Sequence, residues 1–201
     1  MAPWFTNLLA QPAEGVILIA LLLGGGLILG YAIRTGVPPM PTGPTVRRAM
    51  FDFLPERVDG TVYDLGSGWG GVAVALADRY PGNPVIGIEL SPLPWLWSRL
   101  RLALRPRPNL IFRRGDFLTM PLGDAGAITC YLMIGAMTRL AVKLSDELEP
   151  GTVVVSHAFA LPGWEPETVA IVRDVGSVWV YRYVAGRSVA SSRVNEQGDG
   201  A

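Results

Sequence analysis

A glycine-rich segment in the first half of the chain constrains its fold more than any other feature. The segment reads D-L-G-S-G-W-G-G over residues 64–71, with a short apolar run before it at 61–63 and a longer one after it at 72–80. The first run predicts a buried strand and the second a helix. Glycines between a strand and a helix let the backbone approach a ligand closely, and the first N–H groups of the helix are free to bind it. The segment therefore predicts a loop that holds a nucleotide-type cofactor.

Strand and helix patterns alternate along the rest of the chain. Further strands are predicted at residues 85–89, 110–113, 125–132 and 151–156, with helices at residues 91–105 and 137–148. Residues 168–174 and 177–184 follow with no helical pattern between them, and the turn at Gly176-Ser177 pairs them as a hairpin. This order predicts a Rossmann-like, doubly wound α/β fold with a mostly parallel seven-stranded sheet and a C-terminal antiparallel hairpin.

Three acidic residues, Asp64, Glu89 and Asp116, stand at the carboxyl ends of three successive predicted strands. Ligands bind at that edge in such sheets. The pattern Gly66-x-Gly68-x-x-Gly71 also fits a dinucleotide fingerprint, but Asp64 would repel a pyrophosphate and attract the cationic sulfonium and amino groups of S-adenosylmethionine. Asp116 is placed to accept from an adenine amino group. We therefore predict S-adenosylmethionine as the cofactor; the alternative is that the three acids only cap the helices that follow.

Three motifs, D-L-G-S-G-W-G, V-I-G-I-E-L and R-G-D-F, resemble those of the class I S-adenosylmethionine-dependent methyltransferases. Within that class, residues 40–184 resemble the FAM173-type membrane-anchored protein-lysine methyltransferases. That family includes mitochondrial enzymes acting on ATP synthase subunit c and on the adenine nucleotide translocase. The segments that carry the closer resemblance are the apolar N-terminal run, Pro41-Thr42, V-R-R-A-M at 46–50, Glu89-Leu90-Ser91-Pro92, Trp95, Trp97-Ser98-Arg99, L-P-G-W at 161–164 and V-W-V-Y at 178–181.

The resemblance implies which residues hold the cofactor and the substrate. The residues implied around the methionine part of the cofactor are Asp64, Gly66, Ser67, Gly68 and Gly70. Those implied around its nucleoside are Glu89 for the ribose hydroxyls, Leu90 as an apolar neighbour of the rings, and Asp116 with Phe117 for the adenine. In the family the element before the domain is needed for activity, which implies substrate contacts at Pro41 and Thr42. Trp164 is a further predicted substrate contact.

Tyr131 is the residue predicted to face the reacting methyl group. Amino-group methyltransferases often carry an Asn/Asp-Pro-Pro-aromatic motif after the fourth strand, and the T-C-Y-L-M sequence at 129–133 lacks it. Tyr131 would orient an amine through its hydroxyl or its ring; the alternative is an aromatic that only packs at the strand end. His157 is interpreted as structural and Cys130 as part of the core. Because these are the only histidine and the only cysteine, we predict neither a disulfide nor a metal site.

The N-terminal region contains an uncharged apolar run at residues 16–33. A helix of that length spans roughly 27 Å, about one hydrocarbon core. We predict an uncleaved single-pass anchor rather than a signal peptide, because residues 1–13 carry no basic residue. Glu14 precedes the run and Arg34, Arg47 and Arg48 follow it, which predicts a catalytic domain on the cytoplasmic side of a bacterial inner membrane or, in a eukaryote, at the mitochondrial inner membrane.

Four segments are predicted along the chain: an anchor segment at 1–35, a linker and short helix at 36–59, a methyltransferase domain at 60–184 and a disordered tail at 185–201. The linker is rich in proline, and Thr45 would cap the short helix at 46–54. In the anchor, Gly26 and Gly30 form a G-x-x-x-G pattern that permits a dimer without requiring one.

The predicted function is methylation of lysine in a membrane protein, with the anchor confining the enzyme near a bilayer. A lipid, quinone or other small-molecule substrate is an alternative, as is a non-catalytic module in membrane-protein assembly. Nucleic acid is not a predicted partner, because 17 basic and 17 acidic residues leave no net charge.

Six arginines lie between residues 99 and 114, a region without acidic residues. They are interpreted either as a solvated helix face or as a surface held against anionic lipid headgroups. Trp95, Trp97 and Trp164 would lie at the same interface, cover the cofactor pocket or pack on the sheet.

Overall fold

The computed structural model describes residues 12–35, 42–174 and 176–188. These belong to two compact units, Met1–Pro39 and Met40–Ala201.

The first unit contains one described helix, α1 (Pro12–Thr35). Its 19-residue segment Ala13–Tyr31 is long and apolar enough to cross a bilayer. Gly26 and Gly30 lie on this helix with open space around each Cβ position, and pairing of two helices through them stays a prediction. The helix therefore meets the length and composition that a membrane anchor requires.

A seven-stranded sheet forms the centre of the second unit. Its strands are β1 (Thr61–Leu65), β2 (Val85–Glu89), β3 (Leu110–Arg114), β4 (Ala125–Cys130), β5 (Val153–His157), β6 (Thr168–Asp174) and β7 (Gly176–Val184). Their spatial order is β3-β2-β1-β4-β5-β7-β6, in which β1 to β5 are parallel and β7 runs antiparallel to both of its neighbours. This confirms the predicted Rossmann-like, mostly parallel sheet with a closing hairpin.

Helices cover both faces of the sheet. They are α2 (Pro44–Asp52), α3 (Gly71–Arg79), α4 (Pro92–Leu104) and α5 (Ile134–Glu147), with a short 3-10 helix (Phe117–Thr119) after β3. Apolar residues of α2, α3 and α4 pack in one core cluster and those of α5 in a second. β1, β2 and β5 are buried along their whole length. Strands buried on both faces are mostly apolar, and polar residues such as Asp64 and Glu89 interrupt these runs where they belong to the site described below.

The chain order of the strands changes direction between β1 and β4. From β1 the chain continues outward through β2 to β3, whereas from β4 it continues through β5 toward the hairpin. The loops that follow β1 and β4 therefore leave the sheet in opposite directions and open a crevice at its carboxyl edge. Ligands of open α/β sheets bind at such a point.

The start of α2 differs from the prediction that Thr45 caps it. The helix begins at Pro44, and Gly43 is its N-cap without a side-chain hydrogen bond. Proline suits the first turn because the N–H it lacks would have no helical partner there, so Thr45 lies inside the helix. Val46 and Met50 are buried in the same core cluster as β7, so α2 is part of the unit that contains the sheet.

Other predicted boundaries move as well. β4 ends at Cys130, which leaves Tyr131 and Leu132 in the loop before α5, and α5 begins at Ile134 rather than at residue 137. At the C-terminus the chain forms a turn through Ser188, whose buried hydroxyl accepts from the backbone N–H of Val184 at 3.0 Å. This part of the predicted tail is therefore ordered, and residues 189–201 lie outside the described residues.

Candidate cofactor and active site

The glycine-rich loop after β1 is held against the end of β2. The backbone N–H groups of Gly66 and Ser67 both donate to the carbonyl of Ile88, at 2.9 and 3.0 Å. Gly66, Gly68 and Gly70 have φ values of 70°, 51° and 77°, in the left-handed region that side chains with a Cβ disfavour. The loop can therefore turn back over the sheet only with glycine at these positions.

Two side chains clamp the middle of this loop. Glu89 Oε2 accepts from the backbone N–H of Gly68 at 2.8 Å, and its Oε1 accepts from the backbone N–H of Ser91 at 2.7 Å. The buried hydroxyl of Ser98 donates to the carbonyl of Gly68 at 3.1 Å, shared with the carbonyl of Pro94 at 3.0 Å. Glu89 therefore fixes the loop in addition to the ribose role that the resemblance implies.

Gly70 gives a direct test of this loop geometry. A Cβ at Gly70 would lie 2.6 Å from Phe112 Cζ and 2.8 Å from Ser98 Oγ, whereas a Cβ at Gly71 would meet nothing within 4 Å. We expect Gly70→Ala to lower the free energy of unfolding by about 2 kcal/mol, through the positive φ and the overpacked ring. Gly71→Ala is the matched control and should change it by less than about 0.5 kcal/mol. Equal denaturant midpoints for the two variants would contradict the loop conformation.

Asp64 lies near the end of β1 and is buried. Its neighbours in the sheet are Gly87 and Thr129, and its Oδ1 accepts from the Thr129 hydroxyl at 2.9 Å. Burial raises the pKa of Asp64 to about 7; the hydrogen bond from Thr129 and a weaker one from the backbone N–H of Ala73 act in the opposite direction, and the charge of Glu89 adds to the increase. A buried carboxylate of this kind is destabilising unless a cation or donor pairs with it.

Buried polar atoms without a hydrogen-bond partner gather at this edge of the sheet. Within the described ranges they are Asp64 Oδ2, Ser67 Oγ and His157 Nδ1. All three residues lie at or just beyond the carboxyl end of a strand, on both sides of the crevice. Native proteins pair nearly all such atoms, so their concentration at one edge indicates a ligand that supplies the partners.

Tyr131 and His157 meet at the far side of the crevice. Cys130 of β4 pairs with Ser156 of β5, so the residues that follow them, Tyr131 and His157, lie side by side. The centroids of their rings are 4.0 Å apart and the ring planes meet at 34°. Burial lowers the pKa of His157 to about 4, so its imidazole is neutral at physiological pH. The sequence predicted Tyr131 at this edge but not its contact with His157.

The backbone immediately after His157 is strained. Ala158 has a φ of 68°, and the N–H of Phe159 donates to the carbonyl of His157 at 2.9 Å, which closes a γ-turn. Among the described residues, Ala158 is the one non-glycine residue with a positive φ. Strain of this kind gathers at functional sites, where the surrounding structure holds it in place.

The remaining predicted cofactor residues lie at the ends of β2 and β3. Leu90 follows Glu89 directly and is half-buried, as are Asp116 and Phe117. Asp116 Oδ1 accepts from the backbone N–H of Leu118 at 2.9 Å and caps the 3-10 helix. The alternative interpretation of the acids as helix caps therefore holds for one oxygen of Asp116. Their contacts with an adenosine group stay predictions.

Of the three predicted substrate contacts, the structure describes Thr42 and Trp164. Trp164 is buried, and its Nε1 donates to the carbonyl of Ala141 at 3.2 Å and to Ser145 Oγ at 3.1 Å. The ring of Trp164 is thus packed against α5, and its contact with a substrate stays a prediction. Thr42 is half-buried just before α2, and Pro41 lies outside the described residues, so their roles stay predictions.

Sequence reasoning missed three residues that shape the site: Ser98, Phe112 and Thr129. Phe112 fills the space below Gly70 and Gly87, where no Cβ would fit. Thr129 bridges β4 to Asp64 of β1. Ser98 was visible only as a single small residue inside the otherwise bulky W-S-R segment, and nothing local marked Phe112 or Thr129 as different from ordinary strand residues.

The chemistry of these atoms fits S-adenosylmethionine. The unpaired Asp64 Oδ2 is a negatively polarised acceptor, and a second carboxylate, Glu89, ends the adjacent strand. A ligand with an ammonium and a sulfonium group supplies what these acids lack, whereas a pyrophosphate would be repelled. Glu89 retains acceptor capacity beyond its two backbone bonds, because a carboxylate has about four lone-pair sites.

Comparison with known proteins agrees with this assignment. Residues 64–168 match the family described as the ANTKMT methyltransferase domain. A protein-lysine N-methyltransferase of Saccharolobus islandicus is 33% identical over 160 residues, which cover 75% of this chain and 94% of that protein. The mouse adenine nucleotide translocase lysine N-methyltransferase is 35% identical over 140 residues, which cover 67% of this chain and 59% of the mouse protein.

A solved structure shares both the fold and the class of reaction. It is an RNA methyltransferase from Salinibacter ruber in complex with S-adenosyl-L-homocysteine, with a TM-score of 0.67 and 28% sequence identity over 76% of this chain and 97% of that one. The sequence match to the family model extends from Asp64 of β1 to the first residue of β6 and includes both sides of the crevice. The chain therefore belongs to the ANTKMT (FAM173-type) methyltransferase family, within the class I S-adenosylmethionine-dependent methyltransferases.

Proposed function

We propose that this chain is a membrane-anchored protein-lysine N-methyltransferase that acts on a membrane protein. The observation that carries the methyl-transfer part is the buried, unpaired Oδ2 of Asp64 beside the glycine loop. The protein-lysine part is supported by the names of the Saccharolobus and mouse relatives, which are 33% and 35% identical to this chain. The membrane part is supported by the length and composition of α1, and the mouse relative's name refers to a membrane protein.

The proposed cofactor residues are Asp64, the loop glycines Gly66, Gly68 and Gly70 with Ser67, Glu89, Leu90, Asp116 and Phe117. When bound, S-adenosylmethionine supplies a methyl group on a cationic sulfur. A neutral amine attacks the methyl carbon in line, and the sulfur is the leaving group. The protein binds both reactants at one edge and orients them, and such proximity accounts for much of the rate in methyl transfer.

A lysine reaches this chemistry only after it loses its proton. Removal from water lowers the pKa of an ammonium group, and a lysine bound in the crevice at the ends of β1 and β4 loses part of its contact with water. His157 remains neutral because its pKa lies at about 4. It therefore adds no positive charge beside the ammonium and sulfonium groups of the cofactor. Its contact with Tyr131 makes it a positioning residue, and Tyr131 is the proposed contact for the amine.

Substitution of Tyr131 tests its contact with the amine. We expect Tyr131→Ala to lower kcat about 10- to 100-fold, because the amine loses its orientation, while the affinity for S-adenosylmethionine stays unchanged. Tyr131→Phe identifies the group responsible: a hydroxyl contact predicts the same loss as Ala, and a ring contact predicts activity near that of the unmodified protein. The measurements are steady-state kinetics at saturating cofactor and calorimetric binding. An unchanged kcat in Tyr131→Ala would exclude Tyr131 from the active site.

The substrate class is tested by labelling. Membranes that lack this enzyme are incubated with the full chain and S-adenosylmethionine that carries a tritiated methyl group, and the label is then divided among protein, lipid and RNA fractions. The proposed function predicts label in membrane protein, recovered as methylated lysine after acid hydrolysis. Asp64→Asn, which keeps the size of the side chain, is the control for enzyme-dependent label.

Each other distribution of the label overturns part of the proposal. Label confined to the lipid extract would replace a lysine substrate with a lipid or quinone. Label in RNA would favour the activity named for the Salinibacter relative. Label in soluble proteins alone would remove the membrane-protein substrate while leaving lysine methylation in place.

A further inference from the structure

Helix α4 presents an apolar stripe directly away from the core. Leu96, Leu100 and Leu104 recur every four residues and are 57%, 52% and 74% exposed, and Trp97 beside them is 53% exposed. Residues at this spacing lie on one face of a helix. The opposite face carries Pro94 and Ser98, which are buried against the sheet. The apolar residues are thus not the core-facing side of an ordinary amphipathic helix, and they form a surface with nothing described over it.

Arginines border this stripe. At about 100° per residue, Arg99 and Arg101 fall on its two sides, and both are exposed. Arg105 continues the basic border beyond the last turn, and Arg114 is exposed at the end of the adjoining edge strand β3. No acidic residue lies between positions 90 and 115, so this charge has no local counter-charge in the sequence.

We propose that this surface, Leu96, Trp97, Leu100 and Leu104 with the bordering arginines, docks on the surface of an anionic lipid bilayer. Leucine and tryptophan side chains enter the interfacial region while long arginine side chains reach the headgroups. A second copy of the chain fits less well, because a two-fold contact through this stripe would bring the Arg99 and Arg101 side chains of both copies together. The inference rests on the proposed membrane tether, which keeps this surface near a bilayer.

Docking in this way also defines which lysines are within reach. The helix of a β-α-β unit runs antiparallel to its strands, so α4 lying flat on a bilayer sets the strands roughly parallel to the membrane plane. The carboxyl edge with Asp64, Glu89 and Tyr131 then opens sideways along the membrane surface. Lysines at the headgroup level of a membrane protein meet this opening, whereas lysines far out in a soluble domain do not.

The test places a fluorescent label on the stripe of the full chain. Leu100→Cys and the control Val142→Cys, which is 63% exposed on α5 at the other face of the sheet, are each labelled with an environment-sensitive dye. The native Cys130 is buried and does not compete for the dye. Both chains are reconstituted into phosphatidylcholine vesicles with or without phosphatidylglycerol, and quenching by brominated acyl chains is measured.

Docking predicts quenching at position 100 in anionic vesicles, weaker quenching there in neutral vesicles, and none at position 142. Adding Arg99→Gln and Arg101→Gln to the Leu100→Cys chain should lower the ratio of docked to undocked protein about 25-fold, or about fivefold for each arginine. Equal quenching at both positions in anionic vesicles, or disulfide cross-linking between two unlabelled Leu100→Cys chains on those vesicles, would overturn the proposal.

Flotation of the same samples separates this proposal from the tether. A chain that floats with neutral and anionic vesicles but shows equal quenching at both positions keeps the tether and loses the docking surface. A chain that floats only with anionic vesicles and is quenched at position 100 keeps the docking surface and loses the tether. A chain that floats with neither loses both.

Discussion

Asp64→Asn is expected to abolish binding of S-adenosylmethionine and, at pH 8, to make the free protein more stable. Asparagine keeps the size of the side chain and its acceptor for the Thr129 hydroxyl, but it removes the negative charge. The cofactor then loses the carboxylate that would pair with its cationic groups, and we expect at least about a 100-fold loss of affinity, or about 2.7 kcal/mol. The stabilisation arises because burial disfavours the same charge in the free protein by more than its hydrogen bond from Thr129 offsets.

The direction of the stability effect follows from the pKa of Asp64. Folding raises the pKa from 3.8 to about 7, so the folded protein holds a proton that the unfolded chain releases. The stability that this proton provides is lost as pH rises from 3.8 to 7 and is absent above 7. Asparagine does not titrate, so the advantage of the variant over the unmodified protein should grow by about 2–3 kcal/mol between pH 5 and pH 8.

Thermal unfolding of both proteins at pH 5 and pH 8, without cofactor, measures this difference. The comparison across pH cancels the cost of the asparagine N–H, which also lacks a partner and costs about 1–3 kcal/mol at either pH. Cofactor binding by the unmodified protein should strengthen from pH 6 to pH 8 as Asp64 ionises, and binding by the variant should not. A stability difference that is the same at both pH values would show that folding does not raise the pKa of Asp64 and that its carboxyl is already ionised at pH 5.

The sheet was predictable because its central strands are buried on both faces. Such strands are continuous apolar runs, and glycines, prolines and acids at their ends mark where each one stops. β2 is found at the predicted residues, and β6 and β7 pair as the predicted hairpin. Helix and strand boundaries differed from the prediction where the local sequence is compatible with two starting points. Threonine is a common N-cap and proline a common first helical residue, so either Thr45 or Pro44 could begin the helix, and the structure has Pro44.

The far side of the crevice was not predictable, because it depends on register between distant strands. Tyr131 and His157 meet only because β4 and β5 pair Cys130 with Ser156. Trp164 was predicted as a substrate contact, with packing on the sheet among the alternatives, and the sequence did not show that α5 provides a carbonyl and a hydroxyl for its N–H. The outward stripe of α4 carries the same spacing as a core-facing stripe, and the burial of Pro94 and Ser98 in the structure shows which side faces the sheet.

Glu89→Gln is expected to abolish cofactor binding as Asp64→Asn does, but to destabilise the free protein. Both oxygens of Glu89 accept backbone N–H groups, from Gly68 and from Ser91. Glutamine keeps one acceptor and turns an N–H group toward the other donor, which leaves a buried N–H without a partner. We expect a loss of about 1–3 kcal/mol in the free energy of unfolding and at least about a 100-fold loss of affinity.

Glu147→Gln is the matched control, because Glu147 also combines a backbone acceptor role with a second partner. It accepts from the N–H of Leu122 at 2.9 Å and forms an ion pair with Lys143 at the end of α5. That variant should lose stability to a similar degree and keep its affinity for the cofactor.

If Glu89→Gln behaved like the control, Glu89 would only fix the loop, and the acceptor for the ribose would have to be another residue of this edge. If it lost binding while remaining as stable as the unmodified protein, the bond to Gly68 would not be what holds the loop. We therefore expect the Asp64 and Glu89 variants to lose binding alike but to change stability in opposite directions. Asp64 has a buried oxygen that only the cofactor would pair, whereas Glu89 stabilises the loop through two backbone N–H groups in the free protein.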